Sequence, residues 1–193
     1  ETTGYILPVL LDAGMRLSRQ QESEEAARKA LEWLEAIQHT HGGWAGGYVD
    51  QKRPPVVFNT GQVIRGMLAA HSYFSDDRWL HSAQRAGDWL LDMQDEDGSW
   101  KTSVYRGMVR VYNTYVAAPL AELYQRTGKE AYAQAARRQC QWVIREKQEK
   151  NAWFQDADNT IEHNDRPILH TLAYTIDGLI ETGILLGDDE FIS

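Results

Sequence analysis

Six of the seven tryptophans in this 193-residue chain fall into three pairs: Trp33 with Trp44, Trp89 with Trp100, and Trp142 with Trp153. Each pair spans 11 residues, and successive pairs are offset by 56 and then 53 residues. Self-similarity at a period of this length marks a repeat architecture, in which each unit buries its apolar face against its neighbours. A second landmark keeps step with the first. Thr3-Gly4, Thr60-Gly61, Asn113-Thr114 and His170-Thr171 each introduce an apolar stretch, and the threonines step by 57, 54 and 57 residues. Pro8 and Pro119 each follow their threonine by five residues.

Each unit reads as two helices. The spans 5–13, 62–74, 115–124 and 172–186 are apolar nearly all round, the pattern of buried helices. Thr3, Thr60, Thr114 and Thr171 stand where N-caps belong. The spans 22–38, 78–93 and 130–147 are amphipathic. Ala27, Ala30, Leu31, Leu34 and Ile37 form an i, i+3, i+4, i+7 stripe against a charged opposite face. The expected fold is all-α: helical hairpins forming an α/α toroid or an open arc of one, with about seven main helices in inner and outer layers. Inner-to-outer connections are short. Outer-to-inner connections run to about 20 residues (39–58, 95–112 and 149–167), and long ordered loops are usually functional. The chain reads as one domain over 1–193, an excerpt of a larger one. Its units lie near 1–58, 59–112, 113–168 and, in part, 169–193. An arc would leave apolar faces uncovered at both ends, so a homo-oligomer through those ends is an expected association.

Composition narrows the partners. With 28 acidic and 20 basic side chains the formal net charge is -8, which argues against nucleic acid and against an anionic membrane surface. No apolar run reaches the length of a membrane span. One cysteine, Cys140, permits no internal disulfide, and it reads as mid-helix packing rather than a nucleophile. Glu1 to Gly4 carry no basic n-region, so a cytoplasmic location is the expectation.

Lys29-Ala30-x-x-Trp33-Leu34-x-x-x-Gln38-x-x-x-Gly42-x-Trp44 matches Arg85-Ala86-x-x-Trp89-Leu90-x-x-x-Gln94-x-x-x-Gly98-x-Trp100 position by position. In a third copy Arg138, Trp142 and Trp153 hold register, with Lys147 in the glutamine's place and Asn151 in the glycine's. The pattern resembles the QW repeat of squalene and oxidosqualene cyclases. That resemblance implies an α/α toroid whose glutamines tie an outer helix to a neighbouring one. The Asp-x-Asp-Asp acid of those enzymes is absent here. The strings Glu1-Thr2-Thr3-Gly4-Tyr5, Phe58-Asn59-Thr60-Gly61-Gln62, 95–100 and His170-Thr171-Leu172-Ala173-Tyr174 resemble bacterial α/α-toroid proteins linked to exopolysaccharide biosynthesis. The resemblance implies a neighbourhood of glycosidases, uronyl lyases and sugar epimerases.

Ligand chemistry is expected where the inner helices begin, since their N-termini present partial positive charge. Glu1, Asn59, Gln62, Arg110, Asn113, Tyr115, His170 and Tyr174 fall there. His170 suits general acid–base work, and Tyr174 follows one turn later on the same face. Asp156 is the assisting loop carboxylate. Arg110 and Asn113 would position the sugar, joined by Asn59, Gln62 and Tyr115. Tyr48, Tyr105, Trp44 and Trp100 are the rings able to stack on it, although Trp44 and Trp100 also fit motif packing. Asp156-x-Asp158-x-Thr160-x-Glu162 alternates oxygen ligands, but Pro167 takes the place of a closing glutamate, and no zinc spacing exists. The expectation is therefore no metal and no cofactor. The leading function is a carbohydrate-processing or glycan-binding protein acting on a polysaccharide or oligosaccharide, uronic-acid-containing ones included. As an enzyme it would be hydrolase-, lyase- or epimerase-like. The alternatives are a non-catalytic binding or scaffold repeat and a terpenoid cyclase-like enzyme.

Overall fold

The structure, a computed structural model, describes residues 2–192, so Glu1 lies outside the described residues. Its elements are helical: α1 (Thr2–Arg16), α2 (Gln20–Ala36), α3 (Val57–Phe74), α4 (Asp77–Met93), α5 (Thr114–Thr127), α6 (Glu130–Trp142) and α7 (Leu169–Leu186). A π-helical turn, Val143–Lys147, follows α6 directly. The described residues contain two isolated β-bridges, Ala45 to Pro55 and Gln148 to Phe154, and no longer strand. None of their helices is long and apolar enough to cross a membrane. The chain divides into two compact units, Glu1–Leu90 and Leu91–Ser193.

In the first unit α1 packs on α2 and α3. The approach of α1 to α3 is close enough that a methyl on Gly4 would stand 2.4 Å from the carbonyl oxygen of Gln62. In the second unit α5 packs on α6 and α7. There a methyl on Gly178 would stand 2.3 Å from the backbone of Thr114. Only glycine permits backbones to come this near. The interiors of α3 and α5 are apolar on most sides, with Val63, Ile64, Met67 and Leu68 buried in one and Val116, Ala117, Leu120 and Leu123 in the other.

Two expectations about the helices are corrected. Helices α1 and α7 bury one stripe each, not their whole circumference. Gly4, Leu7, Leu11 and Gly14 are buried on α1, while Ile6, Val9 and Met15 are exposed. On α7, Thr171, Thr175, Gly178, Leu179, Thr182 and Gly183 are buried, while Ile176, Ile180 and Ile184 are exposed. Nor do the recurring threonines cap helices. Thr60 lies three residues inside α3, after an N-cap Val56 that makes no side-chain cap bond. Its Oγ1 accepts the Trp44 N–H at 2.9 Å. Thr114 donates from Oγ1 to the Thr175 carbonyl at 2.9 Å, joining α5 to α7. A hydroxyl buried inside a first turn must find a partner, and here the partner lies on another segment.

Candidate functional site

The second unit gathers most of the candidate residues. The segment before α5 (110–113), the loop 148–168 and the start of α7 are bound to one another. Val111 N–H donates to the Asp156 carbonyl at 3.4 Å, and Ile168 N–H donates to Asp158 Oδ1 at 2.8 Å. Asp158 is fully buried. Its Oδ2 accepts from Thr160 N–H at 2.8 Å and Thr160 Oγ1 at 2.6 Å. Burial pushes the Asp158 carboxyl up, but the bonds from Thr160 and Ile168 outweigh it and hold the group below the ordinary carboxylate range. The alternating Asp-x-Asp-x-Thr string therefore caps a loop from within.

Asp156 is the hub of a charged cluster. Its Oδ2 accepts from Lys147 Nζ at 2.8 Å. Its Oδ1 accepts from Arg110 at 3.4 Å and from Asn164 Nδ2 at 3.2 Å. Arg110 is buried and also donates to the Val109 and Thr160 carbonyls at 3.1 and 3.3 Å. An arginine enclosed and engaged in this way organises the loop and does not reach a ligand. Its expected sugar-positioning role is corrected on that ground. Asn113 is buried at the start of α5, which sets its expected sugar-positioning role aside on burial alone. Lys147 and Asn164 are the members of the cluster that spacing did not single out.

A ladder of rings occupies the inner-helix starts of this unit. Tyr115 of α5 stacks on Tyr174 of α7, with centroids 4.8 Å apart and planes tilted by 21°. His170 meets Tyr174 edge-on, with centroids 5.7 Å apart and planes at 76°. The His170-to-Tyr174 spacing of one turn puts the two rings on one face, and α5 supplies the third. His170 is exposed, and Tyr115 and Tyr174 are half-buried. Tyr105 is exposed beside Arg106, whose guanidinium carbon lies 5.3 Å from the Tyr105 ring centroid. Trp100 is fully buried and unable to stack on a sugar. Burial pushes the Cys140 thiol up to about 12, which leaves it protonated and inert. An open cleft of about 610 Å³ in the same unit is lined by Glu96, Asp97, Lys101, Arg138, Arg145 and Lys147 among others. Within it Lys101 pairs with Asp97 at 2.8 Å.

In the first unit Gln62 is fully buried, with its Oε1 accepting from Arg65 Nε at 3.1 Å. Trp44 is also buried and donates from Nε1 to the Leu34 carbonyl at 2.8 Å. Gln62 is corrected from ligand contact to scaffold, while Trp44, packed as the motif expects, also lines a cavity beside the glycine-rich loop. Asn59 is half-buried beneath the glycine-rich loop, about 3.3 Å from where a methyl on Gly46 would stand. Tyr48 is 78% exposed. Among the described residues no group of three or more His, Cys, Asp or Glu side chains is placed to hold a metal.

Residues 13–192 match the family model of the β-L-arabinofuranosidase GH127 catalytic domain. The chain belongs to this glycoside hydrolase family. A solved structure of an unsaturated glucuronyl hydrolase specific for heparin superposes with a TM-score of 0.68 over 98% of the chain, at 12% sequence identity. The fold is thereby that of an α/α toroid. The chain spans 61% of that hydrolase's length. The ladder of His170, Tyr174 and Tyr115 thus stands at inner-helix starts within a GH127 fold.

Proposed function

We propose that this chain forms part of the sugar-binding floor of a glycoside hydrolase, with an oligosaccharide or polysaccharide lying on the ring ladder of α5 and α7. The observation that carries the reading is the ladder itself. Three rings from two adjacent inner helices are held in contact by packing, and the histidine at its end is open to solvent. Half-exposed aromatic faces suit the C–H face of a sugar ring, because they offer a large rigid contact at low entropic cost.

Glycosidic hydrolysis needs a proton delivered to the leaving oxygen and a nucleophile at the anomeric carbon. We assign proton delivery to His170, whose ring Tyr174 orients from the side. Tyr115 backs Tyr174 and extends the stacking surface. Asp156, bound by Lys147, Arg110 and Asn164, is assigned to holding its loop in place. The arabinofuranosidase family and the heparin-specific neighbour differ in their sugars, so the proposal covers the class, uronic-acid-containing glycans included. A setting in polysaccharide metabolism belongs to the same proposal.

The test is turnover of an aryl β-L-arabinofuranoside and of an unsaturated glucuronyl disaccharide, with oligosaccharide binding measured in parallel. His170→Ala should lower kcat by about 10²–10⁴-fold, the usual contribution of a positioned acid. Tyr115→Ala should raise KM with little change in kcat. Unchanged kcat in His170→Ala would reject the assignment. Glycan binding without turnover by the parent protein would leave a non-catalytic glycan-binding repeat as the function.

A further inference from the structure

The first unit holds a cavity of about 210 Å³ that none of the chemistry above uses. It lies between the end of α2 and the loop 45–53, and it shares no residue with the ring ladder. Trp33, Leu34 and Ile37 give it an apolar wall, and Lys52 and Arg53 stand at it as cations. Among the described residues no acidic side chain lines it. Three independent features single it out.

The first is Trp33. Its repeat partners Trp89 and Trp142 are 7% and 9% exposed, whereas Trp33 is 41% exposed and faces the cavity. The second is the pair of cations. Among the described residues neither Lys52 nor Arg53 has an ion-pair partner, in contrast to Arg110, Lys101, Arg126 and Lys147. Asp50, in the same loop, does not line the cavity. The third is the backbone that aims them. Lys52 ends the turn 49–51 in the left-handed region at φ 44°, which sets the direction in which the chain continues to Arg53. Gly47 sits under the Arg53 guanidinium, and a methyl there would come within 3.1 Å of it.

We infer that this cavity binds an anionic sugar of monosaccharide size, its ring against Trp33 and its acid group between Lys52 and Arg53. The volume is below the roughly 300–1,000 Å³ of sites for drug-sized ligands, which restricts the occupant to about one ring. A planar guanidinium beside an ammonium suits a carboxylate or a phosphate equally. Among the described residues no carboxylate lines the cavity to repel either.

Calorimetric titration of the intact chain with D-glucuronate, glucose 6-phosphate and glucose tests the inference. Glucuronate or glucose 6-phosphate should bind, the tighter of the two identifying the acid group, and glucose should bind at least about tenfold more weakly. The double substitution Lys52→Gln/Arg53→Gln, on exposed loop positions, should weaken the anionic sugar by about tenfold or more and remove its salt dependence. Trp33→Ala should weaken it to a similar degree, and His170→Ala should leave it unchanged. Equal affinity for glucose, or binding untouched by the double substitution in a normally folded protein, would overturn the inference. So would loss of binding in His170→Ala, which would place the anion on the ring ladder instead.

Discussion

The turn after α4 and the turn after α6 are built from the same hydrogen bonds, one residue out of step. After α4, Asp95 N–H donates to the Ser99 carbonyl and Gly98 N–H to the Asp95 carbonyl, both at 2.9 Å. After α6, Glu149 N–H donates to the Trp153 carbonyl at 2.7 Å and Ala152 N–H to the Glu149 carbonyl at 2.8 Å. The turn after α2 repeats the pattern through His39, Gly42 and Gly43. From Trp33 to Gln38 and from Trp89 to Gln94 the distance is five residues, but from Trp142 to Gln148 it is six. The π turn Val143–Lys147 absorbs the additional residue. The counterpart of Gln38 and Gln94 is therefore Gln148, not Lys147. The counterpart of Gly42 and Gly98 is Ala152, and that of Trp44 and Trp100 is Phe154. Burial agrees: Phe154 is 6% exposed and Trp153 37%. π turns recur at functional sites because they re-aim a side chain. Here the re-aimed residue is Lys147, which reaches Asp156.

The largest effects should expose this register. Trp44→Ala, Trp100→Ala and Phe154→Ala should each destabilise by about 3–5 kcal/mol, as buried aromatic truncations do. Trp153→Ala should cost under about 1 kcal/mol. Chemical denaturation reads all four. A large loss at Trp153 with a small one at Phe154 would restore the register that the tryptophan spacing alone implies.

Next in size is Asp158, which has no counterpart among the bonds of the turn after α4. Asp158→Asn replaces an acceptor facing the Ile168 N–H and should cost about 1–3 kcal/mol at neutral pH. The native carboxyl lies below its unfolded value. Its contribution is therefore present above the unfolded Asp value of about 3.9 and lost as pH falls through the folded one. Denaturation midpoints of parent and variant should converge below about pH 4. A gap that stays constant from pH 7 to pH 3 would show that Asp158 acts without its charge.

Much of the fold was legible because helical periodicity and repeat length are local properties. The expected helices fall within a few residues of the observed ones, and the contact of His170 with Tyr174 follows from their spacing alone. Three things were not local. A single inserted residue is invisible when the tryptophans on either side of it still sit 11 apart. Arg110 looks like a free loop cation until Asp156 and Thr160, about 50 residues later, enclose it. The role of Trp33 emerges only from its exposure relative to Trp89 and Trp142. Of the sugar-stacking rings expected from the sequence, Tyr48 and Trp44 line this cavity, whereas the adjacent cations Lys52 and Arg53 before Pro54-Pro55 were not singled out.

The glycines of the turns give a smaller test of the same comparison. Gly42 and Gly98 adopt φ 104° and 91°, and methyls on them would stand 2.1 and 2.5 Å from the carbonyl oxygens of Arg85 and Arg138. Gln38 and Gln94 fasten these turns. Gln94 Nε2 donates to the Gly98 and Ala135 carbonyls, each at 2.9 Å, and Gln38 Nε2 donates to those of Gly42 and Ser82 at 2.7 and 2.9 Å. Gly98→Ala should therefore cost well over 1 kcal/mol, through both strain and collision. Ala152 already bears a methyl at φ 65°. Ala152→Gly should stabilise by up to about 1 kcal/mol, and a loss in its place would mean that the third turn uses its methyl for packing.

The smallest effect isolates conformation from contact. α3, α5 and α7 all end on a left-handed residue, but α3 uses Ser75 at φ 52° where α5 and α7 use Gly128 and Gly187. Methyls on Gly128 and Gly187 would meet nothing within 4 Å. Substitution at these positions therefore changes backbone preference and little else. Ser75→Gly should stabilise by about 0.5 kcal/mol, and Gly128→Ala should destabilise by about 1 kcal/mol. For a chain of this length 1 kcal/mol moves Tm by about 2–4 °C, so opposite shifts of 1–4 °C are expected by calorimetry. A fall in Tm for Ser75→Gly would mean that the serine hydroxyl, and not the backbone alone, holds the end of α3.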